Sequence, residues 1–149
     1  MAEHKIMLEW KRESDSFTYD TYNRNHVWVT DGGVKVVASA APAYRGNPAQ
    51  MNPEEAFVAA LSSCHMLTFL AMAAKKTFVV DRYSDPAVGF VEKNAQGRLA
   101  VTLVILRPTV AFSGPTTPTP EQLTALHEEA HHGCFIANSV TTDVKVETA

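Results

Sequence analysis

The stretch "NPEEAFVAALSSCHMLTFLAMAAKK", residues 52–76, decides the fold that this sequence is expected to adopt. Asn52 is a good N-cap, Pro53 suits the first helical position, and Glu55 stands where a capping-box carboxylate reaches back. Residues 56–74 contain no Asp, Glu, Lys or Arg, and the lysines that follow suit the negative end of a helix. The stretch therefore predicts one long and almost charge-free helix.

This helix is also nearly long enough to cross a membrane, which takes about 20 apolar residues. Ser62, Ser63, His65 and Thr68 interrupt the apolar run, and nothing else in the sequence is typical of a membrane protein. A helix that is apolar on all sides more often lies at the centre of a globular protein or between its subunits. We therefore expect a buried helix and no membrane association.

The sequence before the helix predicts a small β-structure. Residues 4–11 alternate apolar and more polar side chains, as a half-buried strand does. Residues 25–40 predict a hairpin, because Asp31 and Gly32 form a turn signal between two β-branched runs. Residues 41–51 are rich in Pro, Gly and Ala, which is typical of a loop.

The sequence after the helix predicts further strands and a second helix. The strand patterns cover residues 77–83, 87–93, 98–113 and 141–148. Within the third, "LAVTLVIL" is apolar on both faces, so this strand is expected at the centre of its sheet.

The second helix begins with a capping box of Thr119 and Gln122 around Pro120 and ends near Gly133, a suitable C-cap. Strands, a long helix, strands, a helix and a strand predict an α+β fold.

Length, charge and the N-terminal residues limit the class of protein. The sequence has 149 residues, which suits a single domain spanning residues 1–149. Its formal net charge is −3 and it has no basic cluster beyond Lys75 and Lys76, so a nucleic-acid-binding protein is not expected. Its first ten residues lack the apolar segment and the cleavage site of a signal peptide. We therefore expect a cytoplasmic location, where stable structural disulfides are rare.

Two cysteines, Cys64 and Cys134, can serve three purposes that the residues alone do not separate. They can be inert core residues, because buried thiols behave as small hydrophobes. They can bind zinc with His65 and with His131 or His132, although the adjacent Cys64 and His65 are badly placed to hold one ion together. They can also form a redox pair, although neither lies in a Cys-x-x-Cys motif.

Arg24 and Glu54 are the charged residues whose placement matters most. If the hairpin begins by residue 24, Arg24, His26 and Trp28 share one face, and an arginine buried there needs an anionic partner. Alternatively, Arg24 lies in the preceding turn, in water. Glu54 suits a first helical turn. On a straight helix it lies about 15 Å along the axis from Cys64, so the two meet only if the helix breaks or if two chains contribute.

Two segments together resemble the OsmC/Ohr family of thiol-dependent peroxidases: "NPEEAFVAALSSCH", residues 52–65, and "AHHGCFIANSV", residues 130–140. The spacing from Asn-Pro-Glu to the cysteine is the specific part, and the similarity extends along nearly the whole chain. Residues 21–33, "TYNRNHVWVTDGG", are closer to the OsmC-like branch than to the Ohr branch. The resemblance implies an intertwined homodimer with two long central helices and antiparallel sheets outside them.

The resemblance also implies roles for individual residues. Carried over by position, Cys64 is similar to the peroxidatic thiol and Cys134 to the resolving thiol. Glu54 is similar to the carboxylate that pairs with the active-site arginine. Arg24 is the best match for that arginine, and the weaker candidates are Arg12 and Arg45.

The activity implied by the resemblance is the reduction of organic hydroperoxides to alcohols, through a Cys64 sulfenic acid and a Cys64–Cys134 disulfide. A lipoyl-type or other small dithiol regenerates the thiols, and neither a cofactor nor a metal takes part. Apolar side chains suited to an organic hydroperoxide are Phe57, Leu61, Met66 and Phe69, although the same residues suit a core.

One departure from the family is Phe135, which follows Cys134 where many members have proline, and we expect it to alter the position or access of the second thiol. An alternative function is a non-catalytic, dimeric protein that binds a small ligand and has structural thiols. A metalloprotein is a third.

Overall fold

The computed structural model describes residues 1–148, and in this part of the chain eight strands and two α-helices form an α+β fold. The predicted fold class is therefore confirmed. The chain divides into two units, Met1–Ala56 and Phe57–Ala149. The expectation of a single domain over residues 1–149 stays a prediction.

The first unit contains a three-stranded antiparallel sheet with the order β1-β2-β3. Its strands are β1 (Ile6–Glu9), β2 (His26–Thr30) and β3 (Lys35–Ala38). The predicted hairpin between β2 and β3 is confirmed, and Gly33 in its turn has φ of 83°, which glycine adopts without steric cost.

The long helix, α1, covers Pro53–Lys75 without a break, as its sequence predicted. The capping box at its start is reciprocal. The Glu55 backbone N–H donates to Asn52 Oδ1 at 2.8 Å, and the Asn52 N–H donates to a Glu55 carboxylate oxygen at 3.0 Å. By length and composition alone, α1 is long and apolar enough to cross a membrane. Within its most apolar 18-residue window, 22% of the residues are buried in the single chain.

Within the second unit, α1 has a buried side and an exposed side. The buried residues, spaced four apart, are Leu61, His65, Phe69 and Ala73. The exposed residues are small or apolar and recur every three or four positions at 60, 63, 67, 71 and 74. Leu67, among them, is 60% exposed. The single chain therefore leaves an apolar stripe of α1 uncovered.

The second unit has two sheets. One pairs β4 (Val79–Ser84) with β7 (Thr109–Ser113), and the other has the order β5-β6-β8. The strands of the latter are β5 (Val88–Lys93), β6 (Leu99–Leu106) and β8 (Asp143–Val146). The central position predicted for "LAVTLVIL" is confirmed. The β5–β6 pairing is antiparallel, whereas the β6–β8 pairing is parallel.

The expectation of one strand over residues 98–113 is wrong. The segment forms two strands in different sheets, separated at Arg107 and Pro108. Pro108 has no N–H to donate, and the Arg107 N–H donates to the Asp85 side chain at 2.6 Å and not to a neighbouring strand. The pairing is therefore interrupted where the chain changes sheets.

The second helix, α2, covers Pro120–Gly133, and its predicted Thr119–Gln122 capping box is confirmed. Two clusters of buried side chains hold α1 in this unit. One joins α1 to α2 and consists of Phe69, Ala73, Leu126 and Ala130. The other joins α1 to β6 and consists of Leu61, Val104 and Leu106. These contacts place the middle of α1 beside the end of α2.

Candidate functional site

The two cysteines come together at the point where α2 ends beside the middle of α1. Cys64 is partly exposed, Cys134 is 1% exposed, and both thiols are free. The Cys134 and Cys64 side chains are close enough for each to shift the pKa of the other. The structure therefore brings together two residues that are far apart in the sequence.

Gly133 allows this close approach of the two helices. It is the last residue of α2, and a Cβ placed on it would lie 3.0 Å from Thr68 Cγ2 on α1. Thr68 in turn donates from its hydroxyl to the Cys64 carbonyl oxygen at 2.9 Å. The predicted end of α2 near Gly133 is confirmed, but the C-cap is Cys134 and not Gly133, which is the last helical residue.

The turn that follows α2 carries Cys134 and closes on its sulfur. The Ala137 N–H donates to Cys134 Sγ at 3.4 Å, and the Asn138 N–H donates to the Cys134 carbonyl oxygen at 3.0 Å. The backbone of Ile136 and that of Phe135 both lower the pKa of Cys64. Cys134, which Phe135 follows, is buried, and the effect of Phe135 in place of proline stays a prediction.

The surroundings shift the pKa values of the two thiols in opposite directions. Partial burial raises the pKa of Cys64, but hydrogen bonds from the Ile136 backbone, the Cys134 side chain and the Phe135 backbone outweigh it, so the pKa is lowered. Burial raises the pKa of Cys134, and the adjacent Cys64 sulfur raises it further. The surroundings therefore favour ionisation of Cys64 over ionisation of Cys134.

His65 lies next to Cys64 in the sequence but faces the other way, into the core. Its Nε2 lies 3.1 Å from His127 Nδ1, and the two rings stack with an angle of 5° between their planes. Burial first, and then the nearby His127 and His131, lower the pKa of His65 to about 4. Burial likewise lowers the pKa of His127 to about 4, although Asp85 opposes this shift. Both histidines are therefore neutral at pH 7.

The pairing of His65 with His127 also bears on the zinc alternative. The side chain of His65 is occupied by a second histidine and is not directed at a site shared with Cys64. Among residues 1–148, no three His, Cys, Asp or Glu side chains are grouped so as to hold a metal ion.

Arg24 lies in the segment before β2, and its guanidinium is enclosed by aromatic rings of its own unit. It donates to the backbone carbonyl oxygens of Tyr19 and Tyr22, and its Cζ lies 3.6 Å from the centroid of the Tyr22 ring. Arg24 therefore precedes the strand, as the second alternative stated, although it is half-buried. Its Nε is buried without a hydrogen-bond partner among residues 1–148.

Glu54, in the first turn of α1, also has an unsatisfied atom. Its Oε2 is buried and has no hydrogen-bond partner among residues 1–148, and no ion pair of this part of the chain joins it to Arg24. The other two arginines are engaged elsewhere. Arg45 forms a 2.6 Å ion pair with Asp20, and Arg12 donates to the Asp15 carbonyl oxygen at 2.6 Å. The role of Arg24 and Glu54 in one site stays a prediction.

Of the four apolar side chains expected around a substrate, Phe57 and Met66 are partly exposed. Leu61 and Phe69 are 0% exposed and belong to the core, so they offer no surface to a ligand in this chain. Phe135 was not selected for this role from the sequence, yet it is 80% exposed beside the thiol pair. The signal that could have identified it is its position directly after Cys134.

Comparison with known proteins identifies the family and a similar solved structure. Residues 46–149 match the sequence model of the family described as OsmC-like protein. The structure of an OsmC-like protein of unknown function from Vibrio cholerae O1 biovar eltor strain N16961 is similar over 100% of both chains, with 51% sequence identity and a TM-score of 0.97.

Two more distant structures show a similarity of fold alone. An organic hydroperoxide resistance protein OsmC from Legionella pneumophila has 18% identity and a TM-score of 0.72, covering 100% of this chain and 99% of that chain. The organic hydroperoxide resistance protein OhrB of Bacillus subtilis has 17% identity and a TM-score of 0.67, covering 99% of this chain and 98% of that chain. No curated protein sequence matches this chain.

Proposed function

Because this chain belongs to the OsmC-like protein family, we propose that it is a thiol-dependent peroxidase that reduces organic hydroperoxides to alcohols. The observation that carries the proposal is the neighbouring pair of free thiols, Cys64 with a lowered pKa and Cys134 with a raised one. A peroxidase of this kind needs a thiolate to attack the peroxide and a second thiol within reach of the product. Inert core cysteines need neither property.

The proposed reaction begins with attack of the Cys64 thiolate on the distal peroxide oxygen. The O–O bond breaks, the alkoxide leaves and takes a proton to become the alcohol, and Cys64 is oxidised by two electrons to a sulfenic acid. Cys134, as a thiolate, then attacks the Cys64 sulfur and displaces hydroxide, which leaves as water. The products are one alcohol, one water and a Cys64–Cys134 disulfide.

Arg24 and Glu54 are proposed to complete the site from a second copy of the chain. The unbroken α1 places Glu54 about 15 Å along the axis from Cys64 of the same helix, so one chain cannot bring the two together. Each of the two residues has a buried polar atom without a partner among residues 1–148, which is costly unless another group satisfies it. Arg24 would favour the thiolate by its charge, and Glu54 would orient Arg24.

The second copy is proposed to be a homodimer partner that packs on the exposed stripe of α1. This stripe recurs at intervals of three and four residues, the spacing at which two helices pack along a shared seam. It also contains Leu67, 60% exposed in the single chain. Covering it would bury α1 on all sides without a membrane.

The disulfide is proposed to be reduced by a lipoyl-type or other small dithiol, and the reaction to take place in the cytoplasm. A direct test is hydroperoxide consumption by the pure protein with dihydrolipoamide as the reductant. We expect turnover of cumene hydroperoxide by the wild type and none by Cys64→Ser. Equal consumption by both proteins, or none by the folded and reduced wild type, would reject the proposed function.

A further inference from the structure

A cavity of about 230 Å³ lies between α2 and β8, and none of its lining residues belongs to the proposed peroxidase site. One wall is a face of α2 from Thr124 to His132, and the other contains Val144 and Val146, which lie two apart on β8. The cavity opens at the surface, because Thr124 and His132 are exposed. An engineered apolar cavity of about 150 Å³ holds benzene. This cavity is therefore large enough for a small organic molecule.

His127 forms the buried part of the α2 wall and is 4% exposed. Its Nδ1 lies 3.1 Å from His65 Nε2, and Phe69 covers one face of its ring, with 4.4 Å between the ring centroids. Its Nε2, on the side of the ring away from His65, is buried and has no hydrogen-bond partner among residues 1–148. A buried and unpaired polar atom is costly. The arrangement therefore indicates a partner that reaches Nε2 from the cavity.

His131 adds a second unpaired nitrogen to the same wall. It lies one helical turn after His127, and residues four apart share a helix face. Its Nδ1 is buried and also has no hydrogen-bond partner in the described part of the chain. Two ring nitrogens that can each form one more hydrogen bond thus lie on one side of the cavity.

The charges around the cavity favour a neutral ligand. The Glu128 carboxylate lies in the α2 wall and the negative end of α2 is beside it, and both disfavour an anion. Glu128 is exposed, so it offers no buried negative charge to an organic cation. Among residues 1–148, no three His, Cys, Asp or Glu side chains are grouped to hold a metal ion.

The contact between His127 and His65 selects the polar group of the ligand. Two neutral histidines share one proton in this contact, so His127 Nε2 is a donor in one tautomer and an acceptor in the other. A hydroxyl group both donates and accepts, and it therefore pairs with either tautomer.

We propose that the cavity between α2 and β8 binds a small neutral alcohol or phenol. Its hydroxyl pairs with His127 Nε2 and His131 Nδ1, and its apolar part lies against Val144 and Val146. The inference does not rest on the proposed peroxidase function, because the cavity and the thiol pair share no residue.

Phenol, toluene and benzoate test the choice of ligand, since they have similar rings and differ in the group to be recognised. Binding to the full chain at pH 7 is followed by NMR titration of the backbone amides and the histidine ring nitrogens. We expect phenol to bind about three- to tenfold more tightly than toluene, which is the factor that one net hydrogen bond supplies, and more tightly than benzoate. Phenol should also shift the ring nitrogens of His127. Equal or tighter binding of toluene or benzoate, or no saturable shift at millimolar phenol, would overturn the inference.

Thr124→Phe tests the place of binding. Thr124 is exposed at the rim, so a larger ring there fills the cavity without entering the core, and phenol binding should weaken about tenfold or more. Ala125→Phe is the matched control, because Ala125 is also exposed on α2 but does not line the cavity. Unchanged binding in Thr124→Phe, or an equal loss in both folded variants, would overturn the inference. If phenol binds as expected but no hydroperoxide is consumed, the proposed function fails and the binding site stands.

Discussion

Cys64 and Cys134 are neighbours in space although 70 positions separate them in the sequence, and the contact lowers the pKa of one thiol while it raises that of the other. A hydrogen bond given by the Cys134 thiol favours negative charge on the Cys64 sulfur, and the same charge disfavours ionisation of Cys134. The contact between the thiols therefore contributes to their difference in reactivity.

We expect Cys64 to be alkylated about tenfold faster than Cys134, or more, near neutral pH in the reduced wild type, because only thiolates react. Peptide mass spectrometry after a short iodoacetamide pulse measures the ratio. Cys134→Ala, which removes the donor to Cys64, should slow the alkylation of Cys64. Equal labelling of the two cysteines would show that the shifts do not exist in solution.

Gly133→Ala is expected to slow the formation of the disulfide about tenfold, because small displacements of reacting atoms reduce rates steeply. The added Cβ would meet Thr68 Cγ2 at 3.0 Å and push the end of α2 away from α1. The double variant Gly133→Ala with Thr68→Ser removes the clashing methyl and keeps the hydroxyl that bonds to the Cys64 carbonyl oxygen. Restoration of the rate in the double variant would assign the effect to this contact, whereas a normal rate in Gly133→Ala would show that the helices adjust freely.

Stability is expected to fall as the pH drops from about 6.5 to about 4, because the pKa of both buried histidines lies below the unfolded value. Between these pH values, His65 and His127 bind protons in the unfolded chain but stay neutral in the native state. Their contribution to stability is therefore complete above pH 6.5 and is lost as the pH falls towards 4. A shift from 6.5 to about 4 corresponds to roughly 3 kcal/mol per histidine. Asp85 opposes the shift of His127, and His131 reinforces that of His65.

Thermal unfolding between pH 7 and pH 4.5 measures this effect. A double variant with His65→Leu and His127→Phe removes both titrating groups and leaves no unpaired ring nitrogen between them, so its melting temperature should vary less with pH than that of the wild type. Parallel curves for the two proteins would mean that carboxylates alone cause the acid sensitivity.

Arg24→Lys is expected to reduce hydroperoxide turnover by about tenfold or more with little change in melting temperature, because lysine cannot pair with a carboxylate through two parallel bonds. Arg45→Lys and Arg12→Lys are the controls, since Arg45 is already paired with Asp20 and Arg12 is bonded to the Asp15 backbone. Rate constants for peroxide reduction compare the three variants. A loss confined to Arg45→Lys or Arg12→Lys would move the role to that residue.

Leu67→Lys is expected to convert a dimer into a monomer, because it places a charge in the centre of the exposed stripe of α1. Leu99→Lys provides a control of the same chemistry on β6, where the leucine is 63% exposed. Sedimentation velocity measures the mass of each species. A wild type that is monomeric at all concentrations would reject the homodimer and, with it, the shared site.

The elements that the sequence predicted are those set by local chemistry. The start of α1 follows from the Asn52–Glu55 capping box, and the first hairpin follows from an Asp-Gly turn, each within a few residues. The division of residues 98–113 into β6 and β7 was missed, although Pro108 marks it, because a continuous apolar pattern outweighed one residue without an N–H.

The features that could not be predicted depend on contacts between distant segments. His65 and His127 are separated by 62 positions, and no periodicity indicates that their rings meet. Gly133 is typical of a C-cap by its position alone, and its actual role became visible only with Thr68 beside it. The roles of Cys64 and Cys134 were implied by the family resemblance, and in the structure each side chain shifts the pKa of the other.

The central claim is that Cys64 and Cys134 form a peroxide-driven redox pair, and an intact-mass measurement tests it most directly. The reduced protein, freed of reductant, receives one equivalent of cumene hydroperoxide and is acid-quenched within seconds, beside Cys134→Ser. We predict that the wild type loses the mass of two hydrogen atoms and that the variant gains one oxygen atom on Cys64. Unchanged masses in both folded proteins, with the thiols still free, would contradict the account.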